Sequence, residues 1–229
     1  THDLELAIKN GSTEVRIGTA IFGAREYKST SMDNQKIAFI GGGNMATCIF
    51  ASIAKNFDTK NITVSGPHLE KLEKFKAAGA SITTNNVDAI KDADIVYLAV
   101  KPQMLTDVLK ELKDSGVALN HKLFISMAAG FKLSSINAIL NTNKLIRIMP
   151  NTPAKLGLGV IAVVYDKEVT DNEKELCKKM LANMGTCIEG DEKALNVIGA
   201  IAGCGPAFVY RFMEALVSEA VANGPPQED

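Results

Sequence analysis

The residues of this 229-residue chain with the clearest capacity for chemistry are Gly41-Gly42-Gly43-Asn44-Met45-Ala46, which follow an apolar run at 36–40. Their spacing is G-x-G-x-x-A. A glycine at Gly41 permits a tight turn, and one at Gly43 lets a phosphate approach the backbone. The small Ala46 lets the following helix pack closely on the strand. Set between a strand and a helix at the start of a β-α-β unit, the pattern predicts a dinucleotide pyrophosphate at the helix N-terminus, beside Asn44 and Met45. The plainer alternative is a glycine-rich structural turn.

About twenty residues on, an NAD-binding unit usually carries an acid at the tip of its second strand. Here that tip reads Ser65-Gly66-Pro67-His68. A hydroxyl and an imidazole tolerate a 2′-phosphate that a carboxylate would repel, so NADPH is expected, with NAD possible. His68 reads equally well as a solvated residue at a helix start. No His–Asp pair stands out, and no catalytic residue is assigned.

These loops need elements to hold them. Short apolar runs at 36–40, 61–65, 80–83, 94–100, 122–127 and 145–149 alternate with helix-period segments at 44–56, 69–78, 87–91, 104–113 and 134–140. Continuous apolar strands between helices are what a parallel sheet covered on both faces requires. Right-handed crossovers then give an α/β, Rossmann-type doubly wound sheet. A strand, helix and strand at 160–165, 171–183 and 186–189 extend it. Beyond 190 the pattern is helical only: a helix at 195–202, a break at Gly203-Cys204-Gly205-Pro206, and a second helix at 207–222 with an apolar stripe. The expected domains are therefore a tail and linker at 1–33, a dinucleotide-binding domain at 34–190 and the start of an all-helical domain at 191–229.

Composition narrows the function classes. With 25 Lys and Arg against 26 Asp and Glu, the net charge of −1 offers no basic field for nucleic acid. The longest apolar runs are far shorter than the ~20 residues of a membrane helix, and no signal-peptide pattern is present, so no membrane partner is expected. The four cysteines (Cys48, Cys177, Cys187 and Cys204) lack C-x-x-C spacing and a histidine cluster. They read as free thiols of a cytoplasmic protein, without a metal site.

From residue 36 onward the chain resembles the pyrroline-5-carboxylate reductase family. The resemblance rests on the glycine loop with Ile40 before it, on Ala99-Val100-Lys101-Pro102-Gln103, on Ser126-Met127-Ala128-Ala129-Gly130, on Arg147-Ile148-Met149-Pro150-Asn151-Thr152-Pro153, and on Gly203-Cys204-Gly205-Pro206-Ala207. It implies NADPH-dependent reduction of 1-pyrroline-5-carboxylate to proline by a homo-oligomer. It places Asn86 on the adenosine-ribose side of the cofactor, Ala99, Val100, Lys101 and Pro102 beside the nicotinamide ribose, and Asn151, Thr152 and Pro153 around the nicotinamide. Lys101 read alone is also compatible with a solvated charge. The family's Ser-Gly-Ser-Gly-Pro-Ala-Tyr run is represented here by Ala202 to Phe208 with fewer hydroxyls. Its later helices and substrate-carboxylate segment are expected beyond Asp229. A related imine or β-hydroxyacid reductase, or a non-catalytic dinucleotide-binding fragment, are the competing readings. Residues 1–27, through Gly11 to Arg25, resemble the carboxyl-terminal end of the pyridoxal-phosphate homeostasis protein family, as a remnant of a fused upstream protein.

Overall fold

The computed structural model describes residues 34–224; the expected tail at 1–33 and its resemblance lie outside these residues. The first strand, β1 (Ile37–Ile40), is buried along its whole length. The glycine loop leads into α1 (Asn44–Ile53), whose Ala46, Ile49, Phe50 and Ile53 fall on one face and are buried. Then follow β2 (Ile62–Ser65), α2 (Glu73–Ala77), β3 (Ser81–Thr83), α3 (Asn86–Ile90), β4 (Ile95–Leu98), α4 (Pro102–Asp114), β5 (Leu123–Ser126), α5 (Leu133–Leu140) and β6 (Leu145–Met149). After a 3-10 turn at Thr152–Leu156 come β7 (Gly159–Tyr165), α6 (Asp171–Leu181), β8 (Gly185–Glu189), α7 (Glu192–Ile198) and α8 (Gly205–Asn223).

The eight strands form one sheet in the order β3-β2-β1-β4-β5-β6-β7-β8. The first six are parallel, with Ile37 opposite Ile62 on one side and Ile95 on the other. The strand order reverses between β1 and β4, so their carboxyl ends splay into a crevice, the usual ligand site of such sheets. The added strands differ from a fully parallel extension: β7 runs antiparallel to β6, and β8 parallel to β7. The carboxyl ends of β1, β2, β4, β5 and β6 therefore share one edge, and the late strands do not change it.

Helices fill both faces. On one, Phe39 stacks on Tyr97 with ring centroids 4.6 Å apart, and Phe50 meets Phe75 edge-on at 5.1 Å. On the other, Leu105, Leu109 and Leu112 of α4 join Ile136 and Leu140 of α5 over Val96, Leu98 and Phe124. Three expected elements come out differently. The helix at 69–78 is split into a 3-10 turn (Leu69–Lys71) and the short α2. The strand at 94–100 stops at Leu98, leaving Ala99 and Val100 to the loop.

The expected break at residues 203–206 is absent. A π-helical segment (Gly199–Cys204) joins α7 to α8 in one helical run, Glu192–Asn223. By length and composition that run is apolar enough to cross a membrane, which counting uninterrupted apolar residues overlooked. It also carries an Arg211–Glu214 ion pair, and charged groups are costly at bilayer depth.

Candidate active site

The three glycines of the loop are needed for three different reasons. Gly41 has φ +103°, and a Cβ there would lie 2.7 Å from the Ala99 carbonyl oxygen. Its N–H donates to the Ser65 carbonyl at 2.9 Å, while Ala99 N–H donates to the Ile40 carbonyl at 2.8 Å. The ends of β1, β2 and β4 are thereby laced together with no room for a side chain. A Cβ on Gly42 would collide with Leu72 and press on Phe75, so this position serves the packing of α2. Gly43 has no atom within 4 Å of its Cβ direction. It is the N-cap of α1 and provides no side-chain cap. The first-turn N–H groups of α1 thus lack intrahelical acceptors and face open space, which suits an anion such as pyrophosphate. Asn44 is exposed and Met45 half-buried at this end, and buried Ala46 packs below them.

At the tip of β2, Ser65 is fully buried. Its hydroxyl donates to Asn86 Oδ1 at 2.7 Å, with a longer approach of 3.3 Å to the Phe39 carbonyl. The side chain points inward and fixes the Asn86 amide, whose Nδ2 in turn donates to Glu111 at 2.8 Å. This chain of bonds ties β2, α3 and α4 around a cavity of about 280 Å³ lined by Pro67, Thr84, Asn86, Met104, Asp107 and Glu111, among others. His68 is exposed, with Nδ1 3.4 Å from Glu70, so the solvated reading describes its side chain. Lys71, on the turn just after the tip, is also exposed and was overlooked as a cation at this corner.

Across the crevice, Ala99 and Val100 are half-buried behind β4, and exposed Lys101 and Pro102 start α4. Lys101 is the N-cap, with extended φ and ψ, and Pro102 occupies a first-turn position where its missing N–H costs nothing. The third wall follows β6. Thr152 is exposed and Pro153 half-buried, but Asn151 is buried with both ends of its amide engaged. Its Oδ1 accepts from Val160 N–H at 3.0 Å, and its Nδ2 donates to the Ala202 carbonyl at 2.9 Å. The structure thus brings the expected residues to one edge of the sheet. Of these, Ser65, Asn86 and Asn151 use their side chains within the protein.

Two pairings had no sequence signal. Glu111 meets Asn86 across 25 residues. Buried Arg147 reaches Glu192 at 3.2 Å, and the same carboxylate oxygen accepts from Leu133 N–H at 2.8 Å. No cluster of metal-ligating side chains is found among the described residues.

Comparison with known proteins agrees with this geometry. Residues 36–130 match the family described as NADP oxidoreductase coenzyme F420-dependent, and residues 192–229 match pyrroline-5-carboxylate reductase dimerisation. The chain is 38% identical over 197 residues to pyrroline-5-carboxylate reductase of Vibrio alginolyticus, covering 84% of this chain and 72% of the relative. It is 34% identical over 212 residues to pyrroline-5-carboxylate reductase 3 of Danio rerio, covering 90% and 73%. Among solved structures, a pyrroline-5-carboxylate reductase from Coxiella burnetii superposes with a TM-score of 0.75 at 35% identity, over 82% of this chain and 71% of that one. Pyrroline carboxylate reductase of Plasmodium falciparum with NADP bound gives 0.74 at 29% identity, over 85% and 72%. Prephenate dehydrogenase of A. aeolicus, at 13% identity and a TM-score of 0.60, shares the fold alone. With its glycine crevice, its sheet order and these relatives, the chain belongs to the pyrroline-5-carboxylate reductase family.

Proposed function

We propose that the chain reduces 1-pyrroline-5-carboxylate to proline with NADPH, in the cytoplasm and as a homodimer. The observation that carries this reading is the open, uncapped start of α1 at Gly43, set in the β1–β4 crevice. The residues present fit a dinucleotide. Gly41, Gly43, Asn44 and Met45 would receive the pyrophosphate, and Asn86, with Ser65 behind it, the adenosine ribose. Ala99, Val100, Lys101 and Pro102 would lie along the nicotinamide ribose, and Asn151, Thr152 and Pro153 would frame the ring. His68 and Lys71 are the cationic or potentially cationic groups nearest the β2 tip in sequence, where no acid from Ser65 to His68 opposes a 2′-phosphate. NADH remains a second, weaker donor.

When bound, the cofactor would supply a hydride to the C=N carbon of a cyclic imine already protonated on nitrogen, the C=N electron pair passing to that nitrogen to leave the amine. The chain's own contribution is placement. Three walls fixed by backbone bonds hold the reacting partners at one edge of the sheet, and such positioning supplies much of the rate without a dedicated acid or base. The dimerisation match over residues 192–229 and the apolar, unburied α8 support assembly through that helix. The near-zero net charge supports a small-molecule partner and no nucleic acid. The charges within α8 support a protein partner and no bilayer.

The test is conversion of pyrroline-5-carboxylate by the purified chain, followed through NADPH absorbance and proline formation. Proline in step with NADPH oxidation is expected. Turnover of a 3-hydroxy acid instead would select the hydroxyacid reductase reading, and NADPH binding with no turnover would select the non-catalytic one.

A further inference from the structure

Arg147, Met149 and Asn151 succeed one another at every second residue, so they lie on the same side of β6 and its extension. Each meets the Glu192–Asn223 helix at a different level. Arg147 pairs with Glu192 at the helix start. Met149 packs where a Cβ on Gly199 would strike its sulfur, so the helix lies directly against this side chain. Asn151 donates to the Ala202 carbonyl at 2.9 Å.

That last bond answers a local deficit. Pro206 sits in the second position of α8 and has no N–H to return to the carbonyl four residues earlier, which is that of Ala202. The run still continues, through the π-helical segment at Gly199–Cys204, and the Asn151 amide supplies a donor at Ala202. π-helical turns of this kind recur at functional sites. The other end of the same amide holds Val160 N–H, which fixes the turn carrying Thr152 and Pro153.

We infer that Asn151 is a positioning residue that couples the dimerisation helix to the nicotinamide wall, so that subunit assembly and cofactor seating stabilise each other. The inference rests on the proposed reductase reading, because it takes the Thr152–Pro153 turn as the nicotinamide wall. One side chain is bonded to both the helix and the strand that closes the turn. A shift of the helix on dimer formation therefore shifts the turn, and ordering of the turn by the nicotinamide fixes the carbonyl at the π segment. By linkage, with one site in each protomer, the factor by which saturating NADPH tightens the dimer must equal the square of the factor by which dimer formation tightens each NADPH site.

The measurement is the dimer dissociation constant by analytical ultracentrifugation, with and without saturating NADPH, for the wild type and for Asn151→Asp. The substitution keeps the acceptor for Val160 and replaces the donor to Ala202 by a second acceptor. For the wild type we expect NADPH to tighten the dimer at least about fivefold. For Asn151→Asp the ratio should fall below about twofold. Binding of 2′-phospho-ADP-ribose, which lacks nicotinamide, should stay near wild type and so certify the fold.

A wild-type dimer indifferent to NADPH that still binds it, or a full NADPH effect in Asn151→Asp, would overturn the coupling while leaving the reductase reading intact. Loss of 2′-phospho-ADP-ribose binding by Asn151→Asp would assign the residue to folding and also overturn it. Absence of NADPH binding by the wild type would remove both readings together.

Discussion

Around the β1–β4 crevice, groups turned inward find partners within the chain. Ser65, Asn86 and Glu111 form a closed series of hydrogen bonds, and Gly41 fits against the Ala99 backbone with no space to spare. Along α8 the opposite holds: none of its 19 residues is buried. Phe208 is 72% exposed and Phe212 65%, with Met213, Leu216 and Val217 beside them. The crevice is packed from within, with open space at Gly43. The helix is half of a packing arrangement that a second protein surface completes, as its match to the family's dimerisation segment supports. Cofactor affinity and assembly should therefore respond to different substitutions, except where Asn151 joins them.

The largest effect should follow Gly43→Asp. The new carboxylate enters the open space at the start of α1, where a pyrophosphate would sit, and we expect NADPH affinity to fall about a hundredfold or more, roughly 3 kcal/mol. Calorimetry checks the binding, and an unchanged thermal midpoint shows that the fold survives. Next comes Phe212→Glu on the exposed helix. It should weaken the dimer by about 2 kcal/mol, as loss of an aromatic anchor does. Sedimentation should report more monomer while 2′-phospho-ADP-ribose binds as before. Equal damage to both properties by either substitution would erase the contrast between the two regions.

A smaller effect sharpens the crevice side. Ser65→Ala removes the donor that orients Asn86 and should cost about 1 kcal/mol in binding of 2′-phospho-ADP-ribose. Ser65→Asp, by contrast, should lower stability rather than switch the cofactor, since it would bury an unpaired charge. Thermal unfolding with and without NADH separates these outcomes.

The smallest effect lies away from both regions. Glu173 closes the capping box of α6 with Thr170 and pairs with Lys144 at 2.8 Å. Burial alone would raise its carboxyl pKa, but the bonds from Lys144 and Thr170 outweigh burial and lower it. A lowered folded-state pKa means stability that is present above the unfolded value of about 4.3 and lost as pH falls through the folded one. Glu173→Gln should therefore cost about 0.5 kcal/mol at neutral pH. The difference from wild type should vanish in urea titrations run below the depressed pKa.

Much of this was legible in the sequence because the signals were local. Apolar runs such as 36–40 and 122–127 mark buried strands wherever both faces are covered, and the glycine loop between strand and helix marks the crevice. What was not legible depended on distant partners. Nothing near Ser65 says that its hydroxyl turns inward, because that is decided by Asn86, 21 residues away. The Gly203–Pro206 segment reads as a break because proline and glycine usually end helices. The chain nevertheless runs on as helix, with the Ala202 carbonyl accepting from Asn151, 51 residues earlier. The direction of β7 was equally hidden, since an apolar run carries no sign of whether its neighbour is parallel.

We take the open start of α1 in the β1–β4 crevice as the seat of the dinucleotide. A crystal structure of the chain grown with NADPH tests it most directly. We expect the pyrophosphate within hydrogen-bonding distance of the backbone N–H groups following Gly43, with the nicotinamide between the Ala99–Lys101 loop and Thr152. Ordered NADPH bound elsewhere, with the space above Gly43 holding only solvent, would contradict it.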